Sequence, residues 1–304
     1  MNLSPAVTVV IPTYNQAHYL KEALRSLLDQ GYTDWEAIIV NNYSEDDTVA
    51  VVESFGDSRM VLENFRNNGV IAASRNRGIA LARGRYVAFL DSDDTWYKDK
   101  LRHCIPYLDQ GADLVSHALQ CIGDRKGVMY CGPEKRATLD AMLDKGSCIT
   151  PSATVVRKEI LDSVGNFSED PAIVTSEDYH LWLKLAGKGA CMRFTRDILG
   201  EYRIHVGNQS GAVLRHLYSV LCVIDDFLPA TATTGFLIWR RRRRRYGLAY
   251  YSAGRGMEKN KQYVDAMKLF LYSVTRRPFF IKTYIAVAMA AFGYALAKLT
   301  RHKR

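Results

Sequence analysis

Short apolar runs alternate with amphipathic stretches through the first 90 residues of the chain. The apolar runs are rich in valine and isoleucine, which predicts strands buried on both faces of a sheet. Between them, leucine and alanine recur every three or four residues, which predicts helices with one apolar face. The predicted strands are 7–11, 35–40, 60–62 and 86–90, and the predicted helices are 19–30, 48–55 and 69–82.

This order of elements predicts an α/β fold with a mainly parallel sheet flanked by crossover helices. We expect that fold to occupy residues 1–212 and to form the catalytic or binding domain. The remaining residues, 213–304, predict a helical and basic extension. Within it, an amphipathic helix is predicted over 215–227 and a pair of helices over 246–272.

Three predicted strands end in short polar clusters. The first strand is followed by Pro12-Thr13-Tyr14-Asn15, the second by Asn41-Asn42, and the strand over 86–90 by Asp91-Ser92-Asp93-Asp94. Ligands of open parallel sheets bind at the carboxyl ends of the strands. The clusters therefore predict one binding site at a single edge of the sheet.

The third cluster places three carboxylates at the end of an apolar strand. Such side chains repel one another unless a positive charge lies between them. A divalent cation such as Mg²⁺ or Mn²⁺ binds one or two carboxylates and takes further ligands from phosphate and water. Asp91, Asp93 and Asp94 thus predict a metal that presents a phosphorylated substrate, and a solvated turn is the alternative.

Several classes of protein lack their signatures in this sequence. Neither GxGxxG nor GxxxxGK[ST] occurs, so a dinucleotide oxidoreductase and a P-loop NTPase have no support. Six scattered cysteines without a CxxC pair predict reduced thiols in a cytoplasmic protein rather than disulfides or a zinc site. The first residues show none of the features of a secretory signal, and we expect none.

A resemblance to a known family rests on five segments in their familiar order. The chain resembles the family 2 glycosyltransferases of the GT-A fold, of the type that builds bacterial cell-envelope polysaccharides. The resemblance extends over about residues 6–205. The segments are VVIPTYN (9–15), IIVNNYSEDDT (38–48), NGVIAASRNRG (68–78), FLDSDD (89–94) and SEDYHLWLKL (176–185).

The resemblance implies an inverting, metal-dependent enzyme with a GT-A, Rossmann-like domain. It would transfer one sugar from a nucleotide-diphosphate donor, with Mn²⁺ or Mg²⁺, to a hydroxyl of a saccharide or lipid-linked saccharide. Asp178 is implied as the general base, with Glu177 beside it. Asp93, Asp91 and His205 are implied as metal or diphosphate ligands.

The resemblance also implies a set of residues that contact the nucleotide. Thr13 and Tyr14 would lie against the nucleoside, Arg75 would approach the base or phosphate, and Asp91 would face the ribose. The full implied set is Pro12, Thr13, Tyr14, Asn15, Asn42, Arg75, Asp91 and Ser92.

One departure from the family pattern affects the choice of donor. Relatives usually carry two aspartates where this chain has Asn41-Asn42. An amide oxygen accepts a hydrogen bond more weakly than a carboxylate and brings a donor beside it. UDP is the first expectation for the donor from the resemblance, and this departure keeps dTDP or GDP open. A catalytically silent nucleotide-sugar-binding protein is the alternative function.

The C-terminal extension carries the positive charge of the chain. Residues 240–304 hold 17 Lys and Arg against two acids, whereas the whole chain has a net charge of +9. An apolar run, Phe236 to Trp239, precedes six arginines, Arg240 to Arg245, which predicts contact of 236–304 with an anionic membrane surface rather than nucleic acid. The apolar stretch 279–299 is compatible with an interfacial helix, a membrane span or a packed helix. We expect a cytoplasmic protein, peripheral at the inner face of the cell membrane.

Overall fold

One mixed sheet organises the N-terminal part of the protein. The computed structural model describes residues 4–124, 126–205, 212–231 and 234–301. Within these residues the sheet has nine strands. They are β1 (Val7–Thr13), β2 (Trp35–Asn41), β3 (Met60–Asn64), β4 (Tyr86–Phe89), β5 (Thr95–Trp96), β6 (Leu114–Gly123), β7 (Gly127–Met129), β8 (Thr154–Arg157) and β9 (Met192–Ile204).

Helices connect these strands and are the elements of the C-terminal part in residues 212–231 and 234–301. Short 3₁₀ turns occur between some of them. The α-helices are α1 (Ala17–Leu28), α2 (Thr48–Ser54), α3 (Ile71–Leu81), α4 (Lys100–Asp109), α5 (Leu139–Lys145), α6 (Lys158–Ser163), α7 (Glu177–Gly187), α8 (Val213–Phe227), α9 (Gly235–Lys259), α10 (Tyr263–Arg276) and α11 (Ile281–Arg301).

The strand order is β3-β2-β1-β4-β8-β6-β9-β5, with β7 beside β6. Strands β3, β2, β1 and β4 are parallel, as the alternating pattern predicts. The antiparallel pairings lie in the other half, where β8 runs against β4 and β6, β7 against β6, and β5 against β9. The predicted α/β fold with flanking helices is confirmed.

Register brings the predicted polar clusters to one edge of the sheet. Thr13, the last residue of β1, pairs with Asn41, the last residue of β2. On the other side of β1, Val10 pairs with Phe89 at the end of β4. Because the three strands are parallel and in this register, their following loops emerge side by side.

The core of this sheet forms between β1 and the helices on its faces. Val7, Val9 and Ile11 are fully buried and pack with the apolar stripe of α1. Helix α3 packs unusually close to β1, since a Cβ on Gly78 would lie 2.4 Å from Cγ1 of Val10. A glycine at this position therefore sets how near α3, and any side chain it carries, approaches the strand.

The first helix differs from its prediction at both ends. The periodicity predicts a helix over 19–30, whereas α1 begins at Ala17 and ends at Leu28. The backbone N–H of Ala17 donates to Oδ2 of Asp46, 2.8 Å away. This contact from the loop after β2 satisfies an N–H group at the helix start. It comes from 29 residues away and leaves no local mark on the sequence.

The chain divides into two compact units. One comprises Met1–Met142 with Gly146–Asn208, and the other Leu143–Lys145 with Gln209–Arg304. The predicted boundary at residue 212 adjoins residues 206–211, which lie outside the described residues. All six cysteines are free.

The C-terminal unit has a core of its own formed by α8 to α11. Leu217, Ile224, Ala253, Phe270 and Ala290 belong to this core. The predicted helical pair over 246–272 is confirmed as α9 and α10, but α9 begins at Gly235 and incorporates all six arginines. The block is therefore part of a helix. In the part of the chain that is described, no helix is long and apolar enough to cross a membrane.

Candidate active site

The loop after β1 is tied to the loop after β2 by two hydrogen bonds. Asn15 adopts the left-handed conformation, with φ of 51°, and its backbone N–H donates to Oγ of Ser44 at 2.9 Å. Its Oδ1 accepts from the N–H of Glu45 at 2.8 Å. Pro12 and Thr13 are buried, whereas the side chain of Tyr14 is 53% exposed. The loop thus presents one aromatic ring from a fixed backbone.

Asn41 and Asn42 fill different positions behind that loop. Asn41 is buried, and its Nδ2 donates to Oδ1 of Asn64 at 2.8 Å. Asn42 is partly exposed, and its Oδ1 accepts from the N–H of Asn67 at 3.0 Å. Its own N–H donates to the carbonyl of Thr13. Both amides therefore stabilise the loops around the ends of β1, β2 and β3. Asn42 is the one that is partly exposed.

Backbone and side-chain contacts hold the acidic loop after β4 in place. The N–H of Asp91 donates to Oγ of Ser152 at 3.1 Å, and the hydroxyl of Ser92 donates to Oε1 of Gln16. Asp94 is almost fully buried and accepts from the N–H of Arg203 at 2.8 Å. The loop is consequently fixed to three separate elements of the fold.

The end of β9 brings His205 against the acidic loop. Nε2 of His205 lies 3.0 Å from Oδ2 of Asp93. Nε of Arg203 donates to the carbonyl of Asp93 at 3.1 Å, and the ring of Tyr19 lies 5.1 Å from that of His205. Asp94 and Arg203 therefore position the Asp93–His205 pair without being part of it.

Burial and mutual repulsion raise the pKa of two carboxyl groups of the acidic loop, although Arg75 pairs with Asp91. Burial raises the pKa of Asp93, the charge of Asp91 adds to this rise, and His205 opposes it. Burial also raises the pKa of Asp94 well above its ordinary value, with Asp93 and Asp91 adding repulsion. The pKa of the Tyr202 hydroxyl is raised first by burial and then by the charges of the neighbouring carboxylates. A cation bound here would relieve this repulsion.

Arg75 on α3 bridges two of the implied site residues. Its Nη2 lies 2.8 Å from Oδ1 of Asp91, and its Nη1 lies 2.7 Å from Oε1 of Glu177. Burial opposes the charged form of Arg75, but these two carboxylates outweigh that effect and raise its pKa. The resemblance implies that Arg75 approaches the base or phosphate, whereas here both terminal nitrogens contact carboxylates.

Glu177 and Asp178 are the first two residues of α7 and both interact with Arg75. Oε2 of Glu177 accepts from the N–H of Thr175 at 2.9 Å, so both its oxygens are engaged. Asp178 is partly buried, and burial raises its pKa to about 7, with repulsion from Glu177 added and attraction to Arg75 opposing it. A carboxyl group with such a pKa exchanges its proton near neutral pH.

A divalent metal fits the Asp93–His205 pair. Two ligands at right angles in an octahedral shell with bonds of about 2.1 Å lie about 3 Å apart. The Asp93–His205 distance of 3.0 Å matches this value. Among the described residues, no cluster of three or more histidine, cysteine or acidic side chains could hold a metal. The remaining ligands would therefore come from phosphate and water, as is usual for Mg²⁺.

The structure brings the implied catalytic, metal and nucleotide residues to one edge of the sheet, linked through Arg75 and the acidic loop. Four further side chains support the site and are not predicted from the sequence. Ser152 and Gln16 lie far in sequence from Asp91 and Ser92, which they bind. Tyr202 and Arg203 lie more than 100 positions from the acidic loop beside them. The supporting residues are Gln16, Ser152, Tyr202 and Arg203.

Comparisons with known proteins agree with this geometry. The model of the family described as glycosyl transferase family 2 matches residues 8–165. The chain is 31% identical over 209 residues to the putative teichuronic acid biosynthesis glycosyltransferase TuaG of Bacillus subtilis, covering 67% of this chain and 81% of TuaG. It is 32% identical over 215 residues to WfaP of Escherichia coli, covering 69% of this chain and 82% of WfaP. WfaP is named a UDP-Glc:alpha-D-GlcNAc-diphosphoundecaprenol beta-1,3-glucosyltransferase.

A solved structure shares the fold. The crystal structure of S. aureus TarS in complex with UDP-GlcNAc superposes with a TM-score of 0.65 at 18% sequence identity. The match covers 98% of this chain and 91% of the TarS chain. With the family model and the two bacterial relatives, the conclusion is direct: the chain belongs to glycosyl transferase family 2 and is a glycosyltransferase.

Proposed function

We propose that this enzyme transfers one sugar, with inversion, from a nucleotide-diphosphate donor to a hydroxyl of a lipid-linked saccharide. The observation that carries the proposal is the set of charges around Arg75. Arg75 pairs with Asp91 and Glu177 and interacts with the charge of Asp178, and Asp91 in turn repels Asp93, which pairs with His205. In this proposal residues 1–212 are the catalytic domain and 213–304 the extension.

Asp178 acts as the general base in the proposed reaction. The acceptor hydroxyl loses its proton as it attacks the anomeric carbon, and a carboxylate with a pKa of about 7 accepts that proton well at neutral pH. A single base opposite the leaving group gives direct displacement, which inverts the anomeric centre. Arg75 and Glu177 position Asp178 and do not touch the reacting atoms.

Asp93 and His205 are the proposed metal ligands. A bound Mn²⁺ or Mg²⁺ would supply Lewis-acid stabilisation of the departing diphosphate. The chain's own contribution is to hold Oδ2 of Asp93 and Nε2 of His205 at 3.0 Å through the contacts of Asp94 and Arg203. Asp91 faces the ribose while it remains bound to Arg75.

The nucleoside lies in the proposal against the loop of Pro12, Thr13, Tyr14 and Asn15. Tyr14 offers an exposed ring for the base, and Asn42 offers its amide beside it. Ser92 fixes the adjoining acidic loop through Gln16. UDP is the proposed donor nucleotide, and the UDP-GlcNAc bound by TarS supports this choice.

The acceptor is proposed to be lipid-linked and presented at a membrane. Support comes from WfaP, whose name specifies a diphosphoundecaprenol acceptor, and from the basic segment 236–304. A peripheral position at the inner face of the cell membrane follows from this proposal.

Calorimetry of nucleotide binding tests the proposed donor site. UDP, dTDP, GDP and CMP are titrated into the full chain with and without Mn²⁺. We expect metal-dependent binding of UDP that is lost in Asp93→Asn. The matched control is Asp57→Asn, because Asp57 pairs with Arg59 outside the site. Equal binding by wild type and Asp93→Asn would contradict the assignment of the metal ligands.

A catalytically silent nucleotide-sugar-binding protein is the second candidate, and Asn41-Asn42 is the observation that favours it. The two candidates differ in turnover. Release of UDP from a UDP-sugar, accelerated by a lipid-linked saccharide acceptor and slowed about a hundredfold or more in Asp178→Asn, supports the enzyme. Metal-dependent binding without any release supports the silent protein.

A further inference from the structure

Helix α11 packs through its small residues and turns its large apolar residues outward. Thr283, Ala286 and Ala290 are at most 1% exposed and face the core of the C-terminal unit. On the opposite side the exposed fractions are 72% for Ile281, 55% for Ile285, 72% for Phe292 and 66% for Leu299. Their spacing of four and seven residues forms one stripe, the exposed stripe. Soluble helices place large apolar residues inward, whereas helices in contact with lipid often show this arrangement.

A basic cavity of about 920 Å³ lies at the start of α11. We call it the arginine pocket. Phe279 and Phe280 form part of its wall, and Phe279 is 96% exposed, so the pocket adjoins the exposed stripe. Its basic lining comes from α9 and the end of α10: Arg240, Arg241, Arg243, Arg244, Arg276 and Arg277.

Carboxylates do not balance the charge of this pocket. Among its described lining residues the acid is Asp144, which pairs with Arg241 at 2.9 Å. Arg243 and Arg276 donate to backbone carbonyls. Burial lowers the pKa of Arg277, and the charges of Arg244 and Arg245 lower it further. Guanidinium groups held together in this way bind phosphate oxygens with two parallel hydrogen bonds.

We propose that the C-terminal unit binds an anionic bilayer surface, with a lipid phosphate in the arginine pocket and the exposed stripe among the upper acyl chains. The proposal deepens the membrane part of the proposed function and rests on it. It assigns the recognition to a discrete pocket rather than to the overall charge of the segment.

The neighbouring surface favours lipid over the other partners of an arginine cluster. A nucleic acid would satisfy the guanidinium groups but would leave Ile281 and Phe292 in water. A second copy of the chain would cover the stripe but would bring a pocket of the same charge. A bilayer with anionic headgroups supplies both phosphate and apolar depth at one surface.

Vesicle binding of the full chain separates the pocket from general charge. The pocket variant is Arg240→Gln/Arg244→Gln, because both side chains are exposed and lie in the pocket wall. The control is Lys261→Gln/Lys268→Gln, which removes the same charge from two exposed residues of the C-terminal unit that do not line the arginine pocket. We expect the pocket variant to bind phosphatidylglycerol vesicles about 30-fold more weakly and the control less than threefold more weakly.

A second variant tests the stripe, and two further probes separate the sources of phosphate. Ile285→Ser/Phe292→Ser should weaken binding to vesicles of every composition, because it removes the apolar contribution alone. Vesicles carrying a polyprenyl diphosphate should bind at least as well as phosphatidylglycerol vesicles. Inorganic pyrophosphate at millimolar concentration should compete for the pocket without replacing the need for lipid.

Several results would overturn the inference. Equal losses in the pocket variant and the control would show diffuse attraction. Tight binding of inorganic pyrophosphate without any vesicle binding would show a site for a free anion, and tight binding of single-stranded RNA without vesicle binding would show a nucleic-acid site. Metal-dependent nucleotide binding is measured in the wild type and in each variant. Loss of nucleotide binding would indicate failure of the proposed function, whereas loss of vesicle binding alone would concern only the membrane site.

Discussion

Arg75 and Glu177 lie 102 positions apart and form a 2.7 Å ion pair beneath the candidate active site. The same guanidinium pairs with Asp91, so one buried cation joins the acidic loop to the start of α7. Removing it leaves the buried Glu177 and the partly buried Asp91 without their partner, and breaking a buried pair costs about 3–5 kcal/mol. We expect Arg75→Met to lower the free energy of unfolding by that amount in urea denaturation.

Arg77→Met is the control for this substitution. Arg77 lies on the same helix and pairs with Glu63, but its side chain is 41% exposed. Exposed pairs contribute about 0–1 kcal/mol, so this variant should unfold almost like the wild type. Equal destabilisation by the two substitutions would mean that the buried bridge has no special role.

The raised pKa of Asp178 predicts an acid limb in the activity profile. The base must be ionised, and burial raises its pKa to about 7. We expect kcat/KM, which reports the ionisation of the free enzyme, to fall as the pH drops below about 7. The Asp178→Asn variant should lose about 10²–10⁴-fold in kcat while UDP still binds. A profile that stays flat to pH 5 would contradict the assignment.

The same shift predicts a gain in stability on substitution. A carboxyl group whose pKa is raised in the folded state contributes stability at low pH, which is lost as the pH rises from the unfolded value of about 4 to the folded value of about 7. Asp178→Asn removes that loss. Its melting temperature should exceed that of the wild type at pH 8 and equal it near pH 4. A lower melting temperature at pH 8 would show that Asp178 stabilises the fold.

Asp94 should act on metal binding through the backbone of Arg203. Its Oδ1 accepts the N–H of Arg203, two residues before His205, at 2.8 Å. Asp94→Asn keeps an acceptor oxygen, whereas Asp94→Ala removes it and frees the end of β9. We expect Asp94→Ala to weaken Mn²⁺-dependent UDP binding about tenfold, corresponding to one lost hydrogen bond. Asp94→Asn should retain most of the wild-type affinity for UDP. Equal losses of affinity in both variants would indicate that the charge of Asp94 matters.

The sequence predicts the parallel half of the sheet and the edge where the site lies, because both depend on local patterns. Strands β1, β2 and β4 appear as apolar runs, and parallel order follows from the helices between them. The antiparallel partners β5 and β7 are too short to show any periodicity, at two and three residues. Their positions depend on pairing with β9 and β6, which local sequence does not encode.

The polar support of the site is equally non-local. The bond between Ser92 and Gln16 spans 76 positions, and that between Asp91 and Ser152 spans 61. Resemblance to a family identifies Asp93 and Asp178 because their motifs are contiguous. It does not show that Arg75 lies buried between two carboxylates, because that depends on how close α3 approaches β1 at Gly78.

The amide of Asn42 should set the preference for the donor base. Its Oδ1 accepts from the N–H of Asn67, and a carboxylate at this position keeps that bond while replacing the NH₂ group with a second acceptor. Uracil carries a ring N–H that gains a charge-assisted hydrogen bond, whereas cytosine offers only a lone pair there. We expect Asn42→Asp to strengthen UDP binding about three- to tenfold by calorimetry and to leave CMP binding unchanged or weaker.

Asn41→Asp is the matched control for this change. Asn41 is buried, and its Nδ2 donates to Oδ1 of Asn64, so a carboxylate there faces another oxygen in a buried position. This variant should lower the melting temperature and give no gain in UDP affinity. If Asn42→Asp strengthens UDP and CMP binding alike, or if Asn41→Asp gives the same gain, the base is not read by Asn42.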